Sequence, residues 1–210
     1  MFAEERIHME VTEVEHSSAY IDFKKQLKET GKQKLDGYYP DLLYCINADE
    51  RKEIEKDIWT YFVKKDDAGL AIFMPYLEDY DGIGALKKKL SAFKVPSSVS
   101  ADIALALFDV TEDKQYLDII MDNYRGLSFN TPIVVELAHR AKKPFVYPLL
   151  RDIYIHDNSE ANRIQAILGV LRHDGKIENI DDVNEFFRKI DMIRAFDLDS
   201  PEARIKGAIK

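Results

Sequence analysis

Cysteine is almost missing from this chain. Cys45 is the only one in 210 residues, so no intrachain disulfide can form and the fold rests on its apolar core. Its neighbours Leu43, Tyr44 and Ile46 predict that the thiol is buried as a small hydrophobic side chain. Glycines are few and scattered, and Gly82-x-Gly84 lacks the preceding strand and further glycine that a dinucleotide loop needs. No apolar run approaches the length of a membrane span: Ile103 to Phe108 is far too short, and the acidic start MFAEER is unlike a secretory leader. A cytoplasmic location is expected. No strained nucleophile turn of the G-x-S-x-G kind is present. His8, His16, His139, His156 and His173 never stand four residues apart, so the helical zinc signature is missing too.

The chain is rich in the two residue classes that build a charged surface over a packed interior. Hydrophobic residues make up 46% and charged residues 32%, a balance that excludes wholesale disorder. Thirty-eight acidic against thirty basic residues give a net charge of −8. That sign opposes nucleic-acid phosphates and anionic membranes and suits a basic protein partner. No nucleic acid, membrane or cofactor is expected.

Local signals predict helices nearly everywhere. Ser17 or Ser18 can cap a first helix through Ile21, Phe23 and Leu27. Asn47, followed three residues on by Glu50, is a capping-box pattern opening the apolar series Ile54, Ile58, Tyr61 and Phe62. Asp66-Asp67 begins a helix with Leu70, Phe73, Met74 and Leu77 on one face, bent at Pro75. Another runs from Ile83 to Phe93, with Lys87 to Lys89 in water. After Val95-Pro96-Ser97-Ser98, the stretch Val99 to Phe108 is apolar on nearly every side, the mark of an inner helix. Its amphipathic partner spans Glu112 to Tyr124. Thr131-Pro132 starts a helix to Ala141, with the threonine as cap, and Pro144 begins its partner, Phe145 to Tyr154. Helices over Ala161 to Leu171, and from Asp181-Asp182 through Ile193, complete the series.

These helix pairs recur at roughly 30 to 45 residues, as in helical solenoids. Two phrases, Phe73-Met74-Pro75-Tyr76-Leu77 and Val146-Tyr147-Pro148-Leu149-Leu150, resemble the apolar-Pro-x-Leu opening of the second helix in HEAT repeats. Arg163, Ala166, Leu168, Gly169 and Leu171 are similar to the first-helix phrase of that family. The resemblance implies an all-α fold, a HEAT-like right-handed α-α superhelix of stacked antiparallel helix pairs. Residues 1–46 form an N-terminal arm and helical cap, 47–198 the repeat region and 199–210 a tail. A compact helical bundle is the competing arrangement.

The chemistry in the sequence favours binding over catalysis. Tyr76, Tyr80, Tyr116, Tyr124, Tyr147 and Tyr154 lie on or beside second helices among many acids, and tyrosines beside carboxylates make protein-binding surfaces. The candidate surface is Glu78, Asp79, Tyr80, Asp81, Asp118, Asp122, Tyr124 and Asp152. It fits a non-enzymatic protein that holds a basic partner, such as an inhibitor or immunity protein neutralising a basic, nuclease-type bacterial toxin. Two alternatives stand beside it: a helical metal-dependent hydrolase using His139, His156 and Asp157, and a scaffold or regulatory adaptor.

Overall fold

Asn47 opens a long helix as the sequence predicts, because its side chain accepts the N–H groups of Asp49 and Glu50 while the Glu50 carboxylate accepts the N–H of Asn47. This helix belongs to a computed structural model that describes residues 15–29, 38, 41–196, 201, 203 and 204. The N-terminal arm over residues 1–14, most of the connection from Gly31 to Pro40 and most of the C-terminal tail lie outside the described residues.

Ten α-helices and no strand are found among the described residues. They are α1 (Ser18–Gln26), α2 (Ala48–Lys64), α3 (Gly82–Leu90), α4 (Ser98–Thr111), α5 (Lys114–Gly126), α6 (Thr131–His139), α7 (Val146–His156), α8 (Glu160–His173), α9 (Val183–Arg188) and α10 (Ile190–Phe196). No helix among the described residues is long and apolar enough to cross a membrane. Most helix starts carry a side-chain cap: Ser17, Asn47, Asp81, Ser97, Asp113, Ser159 and Asp182 each accept a backbone N–H of the first turn. Ser97 and Ser100 form a second reciprocal box, so the breaker before α4 is also its cap.

Two helices act as centres of packing. The inner helix α4 lies against α5, α3 and the two 3-10 turns before α3, and it buries Ala101 and every residue from Ile103 to Phe108. In the second half, α8 lies against α6, α7 and α10. Gly169 permits this: a Cβ there would fall 2.7 Å from Leu150 Cδ1 and 2.9 Å from Ala138 Cα, so only hydrogen lets α8 approach both neighbours. Gly82 plays the same part beside the Met74 carbonyl, which a Cβ would meet at 1.7 Å.

Several expectations are corrected. The helix read from Asp66 to Leu77 is instead two 3-10 turns, Ala68–Ile72 and Met74–Tyr76. Asp66 sits in the left-handed region at φ 62°, and Pro75 has no N–H to continue a helix, so it opens the second short turn. The partner of α7 is α8 rather than α6, because Phe145, left-handed at φ 67°, turns the chain away after α6. Thr131 does not cap α6; its hydroxyl donates to Asn162 Oδ1 at 2.6 Å, and Asn130 holds the cap position without a side-chain cap bond. The last predicted helix is broken at Lys189 into α9 and α10, leaving Val183 and Phe187 exposed. Cys45 is exposed, since it follows a 3-10 turn whose inward positions are taken by Leu42 and Leu43. Lys89 does not share the open water of Lys87 and Lys88: its ammonium bonds Asp66 at 2.6 Å and lies over the Phe62 ring.

Candidate functional site

The acidic residues singled out by sequence fall in two places. Glu78, Asp79, Tyr80 and Asp81 form the corner that leads into α3, and a buried carboxylate on α2 shapes it. Glu55, 1% exposed, accepts the N–H groups of Glu78 and Asp79 through Oε2 at 2.8 and 3.2 Å. Its Oε1 accepts from Arg51 at 2.8 Å. The same guanidinium bonds the carbonyls of Leu43 and Tyr76 and pairs with the Glu78 carboxylate at 3.0 Å. Tyr80 stacks on Trp59 with ring centroids 5.0 Å apart, and Asp81 caps α3 by accepting the N–H of Gly84. Within this corner Tyr80 and Asp81 serve the fold, whereas Asp79 has no cationic partner among the described residues.

The second place is formed by α5 and α7. Asp118 pairs with Lys114 at 2.6 Å and Asp122 with Arg125 at 3.5 Å, all four side chains being more than 60% exposed. Exposed pairs of this spacing contribute only about 0.3–0.5 kcal/mol, so they yield easily to a partner. Tyr124 and Asp152, with Ile153, His156, Asp157 and Asn158, line an open depression of about 320 Å³. His156 Nε2 lies 3.8 Å from Asp152.

A polar chain secures the floor of this depression. The Tyr124 hydroxyl donates to Asp157, which also accepts from the Ser159 N–H at 2.6 Å and Asn162 Nδ2 at 3.0 Å. Asn162, 1% exposed, bonds Asn130 and Thr131 as well and so joins the start of α6 to that of α8. Burial pushes the Tyr124 phenol up, and its bond to Asp157 adds to the shift. Burial acts to raise Asp157 too, but the donors Tyr124, Asn162 and Ser159 outweigh it and hold the carboxyl below its ordinary range.

The residues of the hydrolase reading are not assembled into one set. His139 pairs with Asp181 ahead of α9 at 3.4 Å, whereas His156 and Asp157 belong to the α5–α7 depression. Among the described residues, no group of three or more His, Cys, Asp or Glu side chains could hold a metal ion.

A third feature escaped the sequence reading. Asp41, Leu43, Tyr44, Ile72, Tyr76, Ala106, Asp109 and Arg140 line a cavity of about 240 Å³ between the early 3-10 turns, α4 and α6. Arg140 grips Asp109 through Nε and Nη2 at 2.8 and 2.6 Å and reaches Glu136 through Nη1, while Lys143 bonds the Asp109 carbonyl at 2.7 Å. Glu136 and Arg140 stand four residues apart, but nothing local marks Asp109 as their partner, which the tertiary fold brings in from α4. Of the remaining tyrosines, Tyr116 and Tyr154 are buried, and Tyr147 stacks on His173.

Comparison with known proteins finds no matching family model, no matching curated protein and no matching solved structure.

Proposed function

We propose that this chain is a non-enzymatic protein-binding protein of the cytoplasm that holds a basic partner on the acidic surface of α5 and α7. The reading takes the helices to be stacked in a HEAT-like superhelix, which presents extended faces rather than one deep cleft. What carries it is the setting of the α5–α7 depression: Tyr124 is anchored by Asp157, and Asp118, Asp122 and Asp152 stand at the surface with only exposed local partners or none. A rigid aromatic ring beside loosely paired carboxylates supplies contact area and attraction to cations together. An inhibitor or immunity protein that neutralises a nuclease-type toxin fits this chemistry, because a surface that binds phosphate must be basic and an acidic surface competes for it. Helix-based folds host many functions, so the assignment rests on this site and not on architecture.

The test compares wild-type protein with Asp118→Lys/Asp122→Lys as bait in its native host's extract, eluted along a salt gradient. Retention of a stoichiometric basic protein by the wild type, released by salt and lost in the double variant, supports the reading. A partner that is retained equally by both baits and is insensitive to salt replaces it with the adaptor reading.

A further inference from the structure

The cavity between the early 3-10 turns, α4 and α6 has the features of a receptor for one side chain. Its walls include two partly or largely exposed tyrosines: Tyr44 is 76% exposed and Tyr76 45% exposed. Neither hydroxyl has a hydrogen-bond partner among the described residues. Leu43, Ile72 and Ala106 complete an apolar lining. At about 240 Å³ the space is below the ~300–1,000 Å³ typical of small-molecule pockets, a size that suits one inserted side chain.

The charge around the cavity selects the kind of side chain. Arg140 is the cation in the lining, and two carboxylates already engage it. Asp41 lines the cavity and Asp102 stands one helical turn before Ala106 on α4, and neither has a cationic partner among the described residues. Desolvation and the nearby charge of Glu136 push the Asp102 carboxyl up to about 6. A complex that brings a cation to this side of α4 would meet Asp41, which no described cation engages.

We infer that this groove receives an arginine side chain from an exposed loop of a protein partner, its guanidinium lying against Tyr44 and Tyr76 and pairing with Asp41 or Asp102. Arginine suits the site better than lysine: its planar, weakly hydrated head stacks on aromatic faces and binds carboxylates through two N–H groups at once. The inference rests on the proposal that the partner is basic, and it adds a contact surface distinct from α5 and α7.

The experiment is an amide NMR titration of the full chain with the peptide acetyl-Gly-Ala-Arg-Ala-Gly-amide at millimolar concentrations, with a norleucine peptide as the neutral control. Shifts concentrated at Leu43–Cys45, Tyr76, Ala106 and Asp109 are expected with the arginine peptide only. Tyr44→Ala or Asp102→Asn should weaken them roughly 3- to 10-fold, the range of one partly desolvated cation–π contact or ion pair. Tyr44 is 76% exposed and Asp102→Asn keeps the side chain's size, so these variants should fold. Asp118→Lys/Asp122→Lys should leave the groove shifts in place, so loss of partner capture in that variant and failure of the groove are separate results. Equal shifts with norleucine, no shifts at the groove, or shifts unchanged in both groove variants would overturn the inference.

Discussion

Asn123 in the last turn of α5 accepts the backbone N–H of Ser97 at 2.6 Å and the hydroxyl of Ser100 at 2.7 Å, so the end of one helix caps the beginning of its antiparallel neighbour. Its own amide donates to the Ile119 carbonyl at 2.8 Å. The side chain is 3% exposed.

Asn123→Ala therefore removes an acceptor shared by two donors, which keep only the bonds of the Ser97–Ser100 box at 3.2 and 3.0 Å. We expect a loss of about 0.5–1.5 kcal/mol, the net contribution of a hydrogen bond. Urea unfolding followed by the fluorescence of Trp59, the single tryptophan, measures it; a change below ~0.5 kcal/mol would remove this bond from the account of the α4–α5 pair.

Gly169→Ala sets two effects against each other. Alanine favours a helix interior by about 1 kcal/mol over glycine. The new methyl would meet Leu150 Cδ1 and the Ala138 backbone inside 3.0 Å, and backbone cannot step aside. Overpacking costs about 1–3 kcal/mol, so net destabilisation is expected, visible as a lower thermal midpoint. A raised midpoint would mean that α8 does not approach α6 this closely.

Arg140→Lys keeps the charge but gives up the fork that holds both oxygens of Asp109 and the Glu136 carboxylate together. A loss of about 1–2 kcal/mol is expected for the charged hydrogen bonds that lysine cannot remake. Chemical unfolding of the two proteins side by side provides the measurement.

Two carboxylates should move stability with pH in opposite directions. Burial alone would raise Glu50, but the N–H groups of Ser17 and Asn47, with the Ser17 hydroxyl and His16, hold it below its ordinary range. Its contribution is present above the usual glutamate pKa and is lost as pH falls through the lower folded value. Asp102 is raised to about 6, so the folded state favours its protonated form, and stability is lost as pH climbs from the ordinary aspartate range through about 6. Asp102→Asn should then raise the thermal midpoint at pH 7.5 and change it little at pH 4. Glu50→Gln should lower it at pH 7.5 and flatten the fall in acid. An Asp102→Asn protein less stable than wild type at pH 7.5 would contradict the raised Asp102 carboxyl.

Sequence reading recovered those features whose causes lie within a few residues. The Asn47 box, the all-round apolar character of α4 and the buried face of α5 were legible because caps and periodicity act across one or two turns. Asp81 reads from sequence as an exposed acid, and its capping of α3 is seen only in the fold. Glu55 gave no sign of burial: on α2 it reads as one more surface glutamate, and only the arrival of the Glu78–Asp79 corner supplies the N–H groups that make burial favourable.

Patterning and capping chemistry alone decide that this chain is helical, where most helices begin, and that one of them is enclosed on nearly all sides. Tertiary packing decides that α7 joins α8, that Tyr124 meets Asp157, and that Tyr44, Tyr76, Asp109 and Arg140 share one cavity. The division has a physical origin. A capped turn is stabilised by groups adjacent in the chain, whereas these meetings depend on which helix faces fit closely enough to exclude water, a property of pairs of distant surfaces that no single segment carries.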